Sequence, residues 1–197
     1  TVTVTVVAVY FAPVLTVPGA SVTGAEDINL PLQVQIADVD AAEGTGQLEM
    51  VLQVFFGTLT VNTAVSGGIG AGGVTGNGTT AVSLVGTQQQ LNATFAADGV
   101  VYRGNPNFFT TVAGEETLLI HAEDEVNGAI NTGPLKGVDN KTVTININPV
   151  NDAPTINIIP PAQIVEDTPV ALPIVVNDAE MNLPIGAEAL HEAAVEW

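Results

Sequence analysis

The sequence predicts an all-β chain folded as a two-sheet Greek-key β-sandwich, and three observations predict it. Thr and Val alternate over residues 1–6, the period-two pattern of a strand with one wet and one dry face. Clusters of Gly, Asn, Asp and Pro separate successive apolar runs, which is the turn chemistry of all-β folds. Val, Ile and Thr are abundant throughout, and each suits a pleated, half-buried surface. About seven strands separated in this way fit two packed sheets with Greek-key connections.

Taken in order, the first strand is TVTVTV, residues 1–6. Its phase slips at Val6-Val7, the mark of a bulge or a strand end, and Ala12-Pro13 closes the segment as a linker would. Further runs fall at 28–36, 48–56 (LEMVLQVFF), 58–61, 81–85, 99–103, 117–122 and 142–148. Residues 66–78, SGGIGAGGVTGNG, read as a flexible glycine loop between two strands. Gly68, Gly70 and Gly73 spell GxGxxG there, but that spacing cradles phosphate only between the strand and helix of a βαβ unit, so the expectation is a hairpin connection. QQQLNATFAA (88–97) reads as one short helix, and GAEALHEAAVEW (186–197) as a helix or a frayed end.

The chain also repeats itself. TVTVTVVAVYFAPVLTV (1–17) lies over TVTININPVNDAPTINI (142–158), and after a one-residue gap AEDINLPLQVQIADVD (25–40) lies over VEDTPVALPIVVNDAE (165–180). Fixed-period self-similarity is the signature of stacked units of one architecture. The expected division is 1–12 as the last strand of a preceding or donated unit, 13–150 as a complete unit, 151–185 as the start of the next, and 186–197 as a tail.

Charge narrows the function classes. Asp and Glu total 21 against 3 Lys and Arg, a formal charge of −18. The basic residues are Arg103, Lys136 and Lys141, too few for the basic stripe that nucleic acid requires or for attraction to an anionic membrane surface. No run approaches the ~20 apolar residues of a membrane helix, so direct membrane insertion is not expected. At 46% hydrophobic residues the chain buries a real core and is not of the disordered type. It has no cysteine, which removes disulfides, thiolate metal sites and cysteine nucleophiles together. No charged-then-apolar leader is present, and the chain reads as mature, excised or truncated.

Catalytic constellations are not expected. Ser21, Ser66 and Ser83 are the three serines, and none lies in a nucleophile elbow. His121 sits in a strand pattern and His191 in the tail. Glu123, Asp124 and Glu125 are adjacent, but neighbours along a strand do not face each other across a substrate. Asn77-Gly-Thr79, Asn92-Ala-Thr94 and Asn140-Lys-Thr142 match the glycosylation acceptor pattern, which arises often by chance in a Thr-rich chain.

Four features stand out: Glu-Asp early in the unit (Glu26-Asp27, Glu166-Asp167), Asp-x-Asp after the second strand (Asp38-Val39-Asp40), Ala-x-Asp after a late strand (Ala122-Glu123-Asp124), and Asn151-Asp152-Ala153-Pro154 at the junction. Together they resemble the cadherin-like repeats of giant bacterial surface proteins, of which adhesin extender repeats are relatives. The resemblance covers 1–185. It implies an Ig-like, cadherin-like sandwich in tandem, with Ca²⁺ at the joints between units. The implied ligands are Asp38, Asp40 and Asp124 at the upper end. At the lower junction they are Asn151 and Asp152 with Asp178 and Glu180, the pairs Glu26/Asp27 and Glu166/Asp167 matching the early acids. Tyr10-Phe11 stands where the second junction has Asn-Asp, and Arg103-Gly104-Asn105-Pro106-Asn107 stands where eukaryotic cadherins carry an acidic triplet. The upper joint therefore lacks linker ligands, and the lower site draws on Asn105 or Asn107 or is incomplete.

The residue types fit such an ion independently. Ca²⁺ takes about 6–8 oxygen ligands, and Asp-x-Asp in extended backbone places two carboxylates on one side. The expected function is thus non-catalytic: a structural repeat of an extracellular, cell-surface adhesion protein, partnered by Ca²⁺ and by neighbouring repeats. The alternative is a filament subunit whose orphan segment 1–9 completes another chain by strand addition; a carbohydrate-binding module is a third class.

Overall fold

The computed structural model describes residues 2, 11–41, 46–111, 115–126, 129–130, 137–158, 166–167 and 174–178. The expectations for the strand at 1–9, apart from Val2, for Glu180 and for the 186–197 tail lie outside the described residues. The chain divides into two compact units, Thr1–Asn148 and Pro149–Trp197.

The first unit is all-β with one helix. Its larger sheet has the order β2-β12-β10-β5-β8-β7. These strands are β2 (Ser21–Ala25), β5 (Gln47–Gln53), β7 (Val74–Thr75), β8 (Ala81–Gly86), β10 (Glu116–Val126) and β12 (Val138–Asn148). A short β11 (Ala129–Ile130) pairs with β10. All neighbours are antiparallel except β2 and β12, which run parallel with Ala25 opposite Asn148. A smaller sheet has the order β3 (Leu30–Pro31), β9 (Val100–Gly104), β6 (Gly57–Val61), and β1 (Val14–Thr16) pairs with β4 (Gln35–Ala37). Only Leu32–Val34 separate β3 from β4, so one stretch of chain links both small sheets. Pro31 has no N–H to donate, and the regular ladder breaks there until Leu32 N–H reaches Val100 O at 2.9 Å.

The core lies between these layers. Leu48, Met50 and Leu52 of β5, Leu118, Ile120 and Ala122 of β10, and Val143, Ile145 and Ile147 of β12 are buried on one side. Leu15, Leu32, Ile36, Leu59, Val61 and Tyr102 are buried on the other, and all join one hydrophobic cluster. This is the arrangement of a β-sandwich.

Several boundaries depart from the periodic runs. Strands β1 and β2 fall where no run is evident. The chain reaches the small sheet at β1, crosses at Pro18-Gly19, and joins the large sheet at β2, where Thr144 N–H donates to Ala20 O (3.0 Å). The 48–56 run splits because β5 ends at Gln53. Helix α1 (Gln88–Ala96) opens with a capping box in which Thr87 accepts from Gln90 N–H and Gln90 reaches back to Thr87, two otherwise unpaired donors satisfied at once. The glycine loop is built rather than loose. Ile69 is buried with its N–H on Thr94 Oγ1 (2.9 Å). A Cβ on Gly73 would lie 2.4 Å from Val85 O, so only glycine lets the loop approach β8.

In the second unit β13 (Thr155–Ile158) pairs antiparallel with β14 (Ile174–Asn177). The register sets Thr155 opposite Asn177, as Val14 stands opposite Ala37 in β1–β4. Asp27 and Asp167 both have left-handed backbone, at φ 56° and 61°.

Candidate metal centre

The upper cluster grows from two strand ends. Asp38 and Asp40 follow β4, whose last turn is held from α1: Asp38 N–H donates to Gln88 Oε1 (2.9 Å). Asp40 N–H then donates to Asp38 Oδ1 (3.0 Å), a local side-chain turn that folds the Asp-x-Asp back on itself. Val39 between them is exposed. Strand β10 supplies the third acid. Leu118, Ile120 and Ala122 face the core, and Asp124 continues that alternation; it is only 7% exposed.

The three carboxylates feel one another. Burial, then the Asp40 carboxylate that shares a hydrogen bond with it, then the charge of Asp124, push the Asp38 carboxyl from 3.8 to about 6. The shared hydrogen bond from Asp38, and next the Phe11 N–H, hold Asp40 below the usual carboxylate range. Phe11 N–H donates to Asp40 Oδ2 at 3.0 Å. The linker position therefore meets the cluster through its backbone, a contact that side-chain types alone do not signal. Asp40 is 9% exposed, and Asp38 Oδ2 and Asp40 Oδ1 are buried; once Asp38 is ionised and the shared proton is gone, no hydrogen-bond donor meets them.

With Asp38 ionised, these two oxygens beside a third carboxylate fit a hard cation such as Ca²⁺, whose ligands are oxygens. The set is a partial shell: among the described residues no three His, Cys, Asp or Glu side chains already form a converged metal-binding group. Asp38, Asp40 and Asp124 would hold the ion, and further oxygens from backbone, water or a neighbouring segment would complete it. The ion would supply positive charge that cancels the mutual repulsion of the acids and ties β4, β10 and the linker together.

The lower end is organised differently. Glu26 is buried at the end of β2, and its N–H donates to Asn148 O (3.0 Å), which fixes it to the exit of β12. Asp27 is exposed and sits 3.8 Å from Arg103 Nη2, so a guanidinium is its cationic neighbour. Asn105 N–H donates to Phe56 O (2.9 Å), and Asn107 has left-handed backbone, φ 56°. In the second unit Asn151 is exposed and its Nδ2 donates to Asp152 O (3.2 Å). Asp152 is half-buried, Glu166 and Asp167 are exposed in a turn, and Asp178 is half-buried just after β14.

Periodic reading overlooks a buried acid. Glu116 accepts from Phe55 N–H (3.0 Å) and Thr117 N–H (2.8 Å) at Oε1, and from Phe56 N–H (2.6 Å) and the Tyr102 hydroxyl (3.2 Å) at Oε2. Burial, followed by the Glu116 charge, pushes the Tyr102 phenol well up, so it stays a donor. His121 bridges Asn140 Oδ1 (2.8 Å) and Glu123 Oε2 (3.3 Å) on the sheet face, as befits a sheet residue. The acceptor-pattern residues Asn77 and Asn92 both spend their amides on backbone, at Val61 and Ile36.

No family model, curated protein or solved structure matches the chain.

Proposed function

We propose that this chain is a non-catalytic structural module of an extracellular bacterial surface or adhesin protein, a cadherin-like Greek-key sandwich in tandem whose joints are stiffened by Ca²⁺. One observation carries the tandem reading. The pairing of Val14 with Ala37 recurs as Thr155 with Asn177, at matching positions of the internal sequence repeat. The left-handed Asp27 and Asp167 recur with it. The buried oxygens of Asp38 and Asp40, left without a donor once Asp38 is ionised, support the ion. A divalent cation there would hold the linker at Phe11 against the strand ends, turning a hinge into a strut.

Calorimetry of the full chain tests this. A ligand that binds only the folded state raises the melting temperature as its concentration exceeds Kd. Excess Ca²⁺ raises the melt, EDTA reverses it, and Asp38→Asn with Asp40→Asn abolishes the difference. Identical melts in Ca²⁺ and EDTA remove the ion from the proposal.

The second reading, a head-to-tail filament, draws on segment 1–9. Its sequence resembles that of β12, which lies between β2 and β10 in the large sheet. Electron microscopy separates the readings: long polymers favour strand donation, dispersed particles favour the tandem module.

A further inference from the structure

We infer that the parallel ladder between β2 and β12 is the load-bearing joint of the first unit, its rungs resisting tension together in shear, a role that rests on the tandem reading above. Ser21 stands opposite Thr144 and Ala25 opposite Asn148. The chain enters β2 at Ser21 and leaves β12 at Asn148, so tension is applied at opposite ends of one ladder. Pull drags β2 back toward its start and β12 forward toward its end. The strands then slide past each other, and the bonds that cross between them are strained at once. In an antiparallel pair the entry and the exit would lie at the same end, and the rungs would open one by one.

The entry of the chain is lined up with this axis. Leu15 N–H donates to Asp139 Oδ2 (2.8 Å), and Lys141 Nζ donates to the other oxygen (3.1 Å). Asp139 is the second residue of β12. The incoming strand β1 is thus pinned beside the start of β12, while the chain departs at the far end of that same strand. The ladder is closed at both ends, by Thr144 N–H on Ala20 O and by Glu26 N–H on Asn148 O, at 3.0 Å each. Every residue of β2 is exposed or half-buried, so backbone hydrogen bonds hold it more than packing does. Strand β12 is the fixed side. It pairs with β10 over eight residues, and Val143, Ile145 and Ile147 anchor it in the core.

The direction of pull sets the resistance. Along the strands, five register pairs share the load. Peeled from one end, the same ladder places the load on the one or two rungs at the fork, so the force along the strands exceeds the peeling force by about threefold. Forced rupture follows the unfolding rate and not the equilibrium stability, so a unit of ordinary stability is strong along this one axis.

The full chain contains no cysteine, so paired thiols set the points of pulling in single-molecule force spectroscopy. Val14→Cys with Val150→Cys pulls along the ladder. Pro18→Cys with Val150→Cys does the same while bypassing β1. Ile28→Cys with Val150→Cys pulls at one end of the ladder, where β2 finishes and β12 exits. All four positions are exposed. At one loading rate in EDTA, the first two pairs are expected to rupture at about three times the force of the third. Equal forces in both directions overturn the inference. A Pro18 pair as weak as the Ile28 pair also overturns it, because the resistance then lies in β1. With Ca²⁺ absent throughout, the rupture forces test the ladder and the calorimetric melts test the ion, so either can fail alone.

Discussion

Glu116 is where a single change tests the packing most sharply. Its carboxylate ties the turn after β5 to the start of β10 by accepting three backbone N–H groups and lying beside one phenol. Glu116→Gln keeps the shape and one oxygen. With that oxygen on Phe55 and Thr117, the new NH₂ faces the Phe56 N–H and the Tyr102 hydroxyl. The hydroxyl can turn to Phe56 O, 3.3 Å away; the Phe56 amide has no such escape. The expected loss is one charge-assisted hydrogen bond, about 2 kcal/mol. Glu116→Ala strips all the donors and leaves a hole, for about 4 kcal/mol. Tyr102→Phe removes one bond to a group that keeps three others, about 1 kcal/mol. Urea melts at unchanged m read these differences as shifts in midpoint, and a loss of 2 kcal/mol lowers Tm by about 4–8 °C in a domain of ~150 residues or more. A Glu116→Gln variant within 0.5 kcal/mol of wild type, or one less damaged than Tyr102→Phe, refutes the account.

Four further outcomes are expected. In EDTA, stability falls as pH rises through the window from 3.8 to about 6, because the folded chain binds the Asp38 proton more tightly than the unfolded chain does; the drop is about 1–2 kcal/mol after solvent screening. Asp38→Asn flattens that limb, while the depressed Asp40 adds stability lost only below the ordinary carboxylate range. Ca²⁺ competes with the same proton, so isothermal titration shows affinity rising from pH 5 to 7 with proton release at the acid end; a pH-independent affinity contradicts the site. Gly73→Ala drives a Cβ against Val85 O and against Ile69 Cγ2, 2.8 Å away, and lowers stability by about 1–3 kcal/mol by chemical denaturation. Asn92→Ala removes both bonds to Ile36, at 2.9 Å each, costs about 2 kcal/mol, and speeds hydrogen exchange at the Ile36 amide.

What the sequence disclosed depended on how local the cause was. The period-two runs at 81–85, 99–103 and 142–148 fall on β8, β9 and β12, because burial of one sheet face writes itself into adjacent residues. The helix at 88–97 is α1 within a residue, since its capping box is local too. Strands β1 and β2 were illegible: a strand that changes sheets after three residues leaves no periodic trace. Asn77 and Asn92 read as glycosylation acceptors because their partners, Val61 and Ile36, are 16 and 56 residues away. The upper acids were readable as Asp-x-Asp and Ala-x-Asp, whereas the Phe11 contact uses backbone alone.

The phase of β10 carried a signal that its composition hides. Counting inward from Leu118, the core series begins at Glu116 and ends at Asp124, an acid at each end of one buried stripe. The fold treats them oppositely. Around Glu116 it supplies backbone N–H groups and a phenol, enough to hold the charge without any cation. Beside Asp124 it places two more carboxylates, whose buried oxygens Asp38 Oδ2 and Asp40 Oδ1 meet no donor once Asp38 is ionised. Among the described residues the basic side chains lie elsewhere: Arg103 faces Asp27 and Lys141 faces Asp139. Buried anionic oxygen is costly, and burial, followed by the neighbouring Asp40 and Asp124 carboxylates, already pushes the Asp38 carboxyl up to about 6. At neutral pH that proton leaves, and the proposed Ca²⁺ would then stabilise the cluster.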